Sequence, residues 1–156
     1  MAAMIKGFIP SLRWVVSLSL IFTVFFLVSC RSAGRQRPFG VFRLGKVAEH
    51  QGPQTFFPEF GLLLRRDEGG FYLMSTYCTY DLSPLTFKPG PGGGIFASST
   101  TTSTYDFDGH VLSGPAKADL PYYELRLDSS VYGGPKDALY AYVGQVRPKN
   151  WRLKID

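Results

Sequence analysis

Between Phe60 and Thr76 the chain reads FGLLLRRDEGGFYLMST, two short apolar runs on either side of a polar turn that ends in two glycines. In residues 60–66, Phe60, Leu62 and Leu64 alternate with Gly61, Leu63 and Arg65; in residues 71–76, Phe71 and Leu73 alternate with Tyr72 and Met74. A period of two sends successive side chains to opposite faces of an extended strand, and Arg66-Asp67-Glu68-Gly69-Gly70 has the composition of a hairpin connection. The pattern predicts a β-hairpin with one face of each strand in the core. Short runs of this kind recur, rich in Phe and Tyr and separated by turn signals, with 17 glycines and 11 prolines in 156 residues. That composition favours an all-β domain over a helical one. The length suits one domain, and no repeat of 20 to 50 residues is visible.

The N-terminus has a different character. Residues 1–13 carry Lys6 and Arg13 and no acid, and Trp14 to Ser29 continues without a charge. Sixteen residues are short against the roughly 20 that span a bilayer, and they suit the apolar region of an export signal with small Ser29 before Cys30. Residues 1–29 are therefore expected to be a leader or an anchor helix. Leu27-Val28-Ser29-Cys30 resembles the lipobox of bacterial lipoproteins, which implies cleavage before Cys30 and a diacylglycerol on its thiol; an uncleaved anchor with an incidental thiol stays open. Either reading attaches the chain to membrane lipid and puts the domain beyond it on the periplasmic, extracytoplasmic side of the cell membrane. Residues 30–38, with Arg31, Arg35 and Arg37 among Gly and Pro, read as a basic linker. Beyond the leader about 110 to 125 residues remain, enough for a single core.

The formal charge of +5 falls to +3 when Lys6 and Arg13 leave with the leader. Without a basic stripe interleaved with stacking aromatics, so small an excess argues against nucleic-acid binding. Pro89 to Gly94, PGPGGG, lacks the Lys-Ser/Thr of a phosphate loop and any helix signal after it, and reads as a connector. Gly109 suits a two-residue hairpin turn. His110 and His50 have no second His, Cys or carboxylate at ligand spacing, and Asp106 and Asp108 lack a visible base and nucleophile, so acid–base catalysis is not expected.

The most informative stretch runs from Ser75 to Ala116, STYCTYDLSPL, the Gly/Pro connector, and IFASSTTTSTYDFDGHVLSGPA. It resembles the two cluster-binding loops of the Rieske iron–sulfur proteins of the quinol-oxidising type, which read C-T-H-L-G-C-P-L and then C-P-C-H-G-S-x-F-D-x-x-G-x-V-x-x-G-P-A. Cys78, Thr79, Pro84 and Leu85 match the first loop. Ser103, Tyr105, Asp106, Gly109, Val111, Gly114, Pro115 and Ala116 match the second. The hairpin before the first loop and LPYYELRLD after the second extend the likeness to residues 39–146. The resemblance implies a Rieske-like antiparallel β-sandwich with an inserted loop subdomain, preceded by the leader or anchor helix and followed by a basic tail, residues 147–156.

In that family a Cys and a His from each loop hold the two irons, and the matching positions here are Cys78, Tyr80, Ser98 and Thr101. A [2Fe–2S] centre of this kind needs two thiolates and two imidazoles, and iron takes neutral hydroxyls poorly. With Cys30 set aside for lipid, one cysteine and two histidines remain. No cluster and no metal are expected, and Cys78 reads as a small buried apolar side chain. The family's inter-loop disulfide would need cysteines at Ser83 and Thr100. Hydroxyls of residues 98–104 are expected to bond backbone amides within the second loop instead.

The resemblance with its missing ligands implies a membrane-tethered, non-enzymatic accessory subunit of a respiratory or photosynthetic electron-transfer complex, with other subunits of that complex as partners. Two alternatives stand beside it. One is an electron carrier with an unusual centre, either a 2Fe–2S cluster shared between copies through Cys78 or a metal held by Cys78 and His110. The other is a free-standing envelope lipoprotein that binds a small ligand or a cell-wall component.

Overall fold

The computed structural model describes residues 37–127 and 137–155. The leader, Cys30 and most of the basic linker lie outside the described residues, and among those described no helix is long and apolar enough to cross a membrane. Among the described residues ten strands form two antiparallel sheets. The larger has the order β1 (Gly40–Lys46), β10 (Ala138–Arg147), β9 (Tyr122–Leu127), β4 (Gly70–Ser75), β3 (Leu62–Asp67), β2 (Gln54–Phe57). The smaller has the order β5 (Leu85–Lys88), β6 (Ile95–Ser98), β7 (Thr104–Asp106), β8 (Val111–Ser113). Since β4 pairs directly with β9, Leu73 opposite Tyr123 and Met74 opposite Tyr122, everything from Thr76 to Pro121 is an insertion at one end of the large sheet. This is the all-β architecture with an inserted loop subdomain that the resemblance implies.

The β3–β4 hairpin has the register its alternation predicts, Leu62 against Ser75 through Asp67 against Gly70. Its turn is closed by Gly69 N–H donating to Asp67 Oδ1 at 2.8 Å. The hairpin is nevertheless buried on both faces: Leu62, Leu63 and Leu64 are 1%, 0% and 1% exposed. Leu62, Leu64, Phe71 and Leu73 join Tyr123, Leu125, Leu139, Ala141 and Val143 in one core. Leu63, Tyr72 and Met74 join Cys78, Phe96, Tyr105, Leu120 and Tyr122 in a second. The expectation of a single buried face fails because the insertion folds back over the other one. Burying a Leu, Phe or Met side chain stabilises by about 1.5–3 kcal/mol, so the second core ties the subdomain to the sheet.

Polar contacts fix that docking. Arg65, on the face of β3 that meets the subdomain, donates through Nη1 to Phe107 O (2.9 Å) and Asp108 Oδ1 (3.0 Å), and its guanidinium lies 3.6 Å from the Phe107 ring centroid. Tyr122 Oη donates to Asp108 O at 3.1 Å. The β7–β8 connection takes four residues, Phe107 to His110, rather than two: Asp106 N donates to His110 O and Gly109 N to Asp106 O. Gly109 sits at φ +75°, where a β-carbon would crowd Leu120 and Met74. The C-terminal tail packs back on the domain. Leu153 exchanges backbone hydrogen bonds with Phe71, and Trp151, Leu153 and Ile155 lean on the first core.

Candidate functional site

Two loops leave the sheets side by side at the end of the insertion, residues 76–84 before β5 and residues 99–103 after β6. Their alignment comes from sheet register. In the antiparallel β5–β6 ladder Leu85 stands opposite Ser98, so the first loop enters β5 beside the point where the second loop leaves β6. The first loop closes on itself through Cys78 N donating to Ser83 O (2.8 Å) and Leu82 N to Cys78 O (3.0 Å). Its sharpest point is Leu82, at φ +58°, the single non-glycine residue with positive φ among those described. A β-carbon in this left-handed region costs about 1–2 kcal/mol relative to glycine.

The strained turn presents Asp81 to both loops. Asp81 Oδ1 accepts from Ser83 N–H (3.1 Å) and Ser83 Oγ–H (2.8 Å), and Oδ2 accepts from the Thr100 hydroxyl. The Ser83 hydroxyl proton is directed at Asp81, so its oxygen accepts a hydrogen bond from Ser98 Oγ–H at 2.8 Å. Ser98 Oγ in turn accepts the amide protons of Thr100 (3.2 Å) and Thr101 (3.0 Å). Thr101 Oγ1 accepts Ser103 N–H at 3.3 Å. The loops are thus joined by a directed chain of hydrogen bonds that ends on one carboxylate. The Thr100 hydroxyl holds the Asp81 carboxyl far below the usual carboxylate range, helped by the Ser83 side chain and amide and only partly opposed by burial.

Beneath this clasp lies Cys78, 0% exposed. Tyr105, equally buried, directs its hydroxyl at Cys78 Sγ (3.5 Å), accepts Thr79 N–H (3.0 Å) and meets Thr79 Oγ1 at 2.9 Å. Thr79 Oγ1 donates onward to Ala118 O at 2.6 Å. Burial pushes the Tyr105 phenol up, so it stays a neutral donor. Ser103 Oγ accepts Ala116 N–H at 3.2 Å, and Gly114, at φ +91°, lets its backbone approach Ser103 so closely that a β-carbon would stand 2.4 Å from Ser103 Cα. The Ser103, Tyr105, Gly114 and Ala116 frame therefore surrounds a buried thiol and the two loops.

The four positions singled out by sequence are brought to the same two loops but do not converge as a donor set. Cys78 points inward; Tyr80 is 62% exposed; Ser98 Oγ is occupied by Ser83 and two amides; Thr101 Oγ1 serves Ser103. One thiol and two engaged hydroxyls do not match the two thiolates and two imidazoles of a Rieske centre, and no group of three or more His, Cys, Asp or Glu suited to a metal occurs among the described residues. His110 Nδ1 pairs with Asp106 Oδ2 at 2.9 Å, and His50 is buried between Leu44 O and Thr55 Oγ1. Sequence reasoning missed Asp81. The signal available to it was a carboxylate two residues before Ser83 in a loop otherwise without charge.

No family model matches the chain, and no curated protein sequence does. Among solved structures it is similar to the plasma membrane Rieske protein of the cyanobacterium Synechocystis PCC 6803, with 18% identity and a TM-score of 0.42, over 64% of this chain and 97% of that one. It is also similar to a chain from the complex of reduced oxygenase and oxidized ferredoxin in carbazole 1,9a-dioxygenase, with 13% identity and a TM-score of 0.39, over 71% and 99%. The element order and the paired loops at the end of an inserted β subdomain are those that the sequence resemblance implies.

Proposed function

We propose that the protein is a membrane-tethered, non-catalytic accessory subunit of a respiratory or photosynthetic electron-transfer complex, a Rieske-like domain kept for its shape. The observation that carries this reading is the Asp81 clasp. It occupies the ligand position Ser98 and joins the positions where the family's disulfide would stand, so the loops are held together by side chains that would have to be released before metal could enter. The tip so formed presents Tyr80 and a rim of hydroxyls on a braced scaffold, the kind of preorganised surface that docks with little loss of freedom. Burial of Cys78 at 0% exposure disfavours a cluster shared between copies through that thiol.

The test is to purify the full chain anaerobically from native membranes in mild detergent. Iron and acid-labile sulfide below stoichiometry, no Rieske-type paramagnetic resonance signal on reduction, and stable co-purification with membrane redox subunits are the expected results. A stoichiometric cluster overturns the cluster-less reading; a chain that purifies alone overturns the accessory role.

A further inference from the structure

Around the start of β1 and the end of β10, three apolar side chains stand in solvent. Phe39 is 83% exposed, Val146 64% and Val41 36%. Phe39 is seated rather than loose: its neighbour Gly40 pairs with Val143 in the β1–β10 ladder, and its ring lies on bare backbone at Gly144, where a β-carbon would be 2.3 Å from a ring atom. Phe39 and Val146 line one shallow cleft of about 260 Å³ with Arg37, Pro38 and Pro121. Scattered apolar residues on a surface need no explanation, but clustered ones around a cleft mark a contact.

Charge points to the nature of that contact. Arg147 is tied to Glu124 and Lys149 to Asp119, whereas Arg37 has no carboxylate partner among the described residues; its Nε–H, like that of Arg147, is buried without an acceptor. A guanidinium beside an apolar cleft suits an anionic headgroup above acyl chains. The covalent arrangement supplies proximity. Residues 30–38 separate the uncharged segment ending at Ser29 from Phe39, and nine residues reach at most about 30 Å when fully extended. So short a tether raises the effective concentration of bilayer at the patch, and a contact too weak to bind alone becomes occupied.

We propose that the face formed by Phe39, Val146 and Arg37 rests on an anionic lipid surface, the two apolar side chains entering the headgroup layer and Arg37 pairing with phosphate. The inference rests on the membrane tethering proposed above. It adds that the domain lies against the bilayer on one defined face instead of swinging free on its linker.

Nitroxide labels on Val146→Cys and, as a solvent control, on Glu68→Cys test it in the full chain reconstituted into phosphatidylcholine–phosphatidylglycerol vesicles, with the chain lacking an added cysteine as blank for Cys30. The buried Cys78 stays unlabelled. The expected result is a several-fold higher ratio of oxygen to nickel-chelate accessibility at position 146 than at 68, lost in the Phe39→Asp, Arg37→Glu variant while the chain still sediments with vesicles. Equal ratios at the two sites with the chain in the membrane fraction overturn the docking and leave the tether standing. A chain that stays in the supernatant overturns the tether and the docking with it.

Discussion

Replacing Asp81 by alanine removes the acceptor of three hydrogen bonds, from Ser83 N, Ser83 Oγ and Thr100 Oγ1. Hydrogen bonds to a charged group contribute about 1.5–3 kcal/mol each when dry, and less where water replaces the partner. Asp81 is partly open to solvent, but Ser83 is 0% exposed and would keep a buried hydroxyl with one acceptor fewer. Together these give an expected loss of about 2–4 kcal/mol. In a double-mutant cycle with Thr100→Val, the Asp81–Thr100 pair should show a coupling of about 1–2 kcal/mol. Its pH dependence has a defined sign. The carboxyl is held below its unfolded value, so the stabilisation is fully present above that value, about pH 4, and fades as pH falls toward the folded pKa. Urea unfolding of the detergent-solubilised chain should therefore show a constant gap between wild type and Asp81→Ala from about pH 5 to 8 that narrows below about pH 4. A gap unchanged in acid, or an alanine variant as stable as wild type at pH 7, refutes the clasp.

Tyr105→Phe should destabilise by about 1–3 kcal/mol, because Thr79 N–H loses its acceptor beside a fully buried ring; thermal unfolding measures it, and an unchanged midpoint would show that Thr79 finds another partner. At Leu82 the glycine variant should be more stable than the alanine variant by about 1 kcal/mol, since both give up the same packing and only alanine keeps a β-carbon at φ +58°. The reverse order in a denaturant titration would mean the turn relaxes out of the left-handed region. Gly114→Ala should cost more than about 2 kcal/mol, the new carbon meeting Ser103 backbone with no flexible atom to give way; a near-native unfolding curve would show that the 99–103 loop can shift.

Period-two patterning was legible where a segment's own backbone determines it. The β3–β4 hairpin and the isolation of Cys78 both follow from local spacing or residue type. What a strand's second face touches is not local. Leu63, Tyr72 and Met74 read as the outer side of a hairpin until a subdomain some thirty residues further on covers them.

The candidate site divides in the same way. Sequence alone determined that the second thiol and both imidazoles are missing from the loops, because donor chemistry belongs to a residue wherever the chain takes it. Only the tertiary structure decided that Asp81 and Thr100, nineteen residues apart, and Cys78 and Tyr105, twenty-seven apart, would meet. Those meetings are set by the β5–β6 register and by the fold-back of the insertion, long-range pairings that no window along the chain contains.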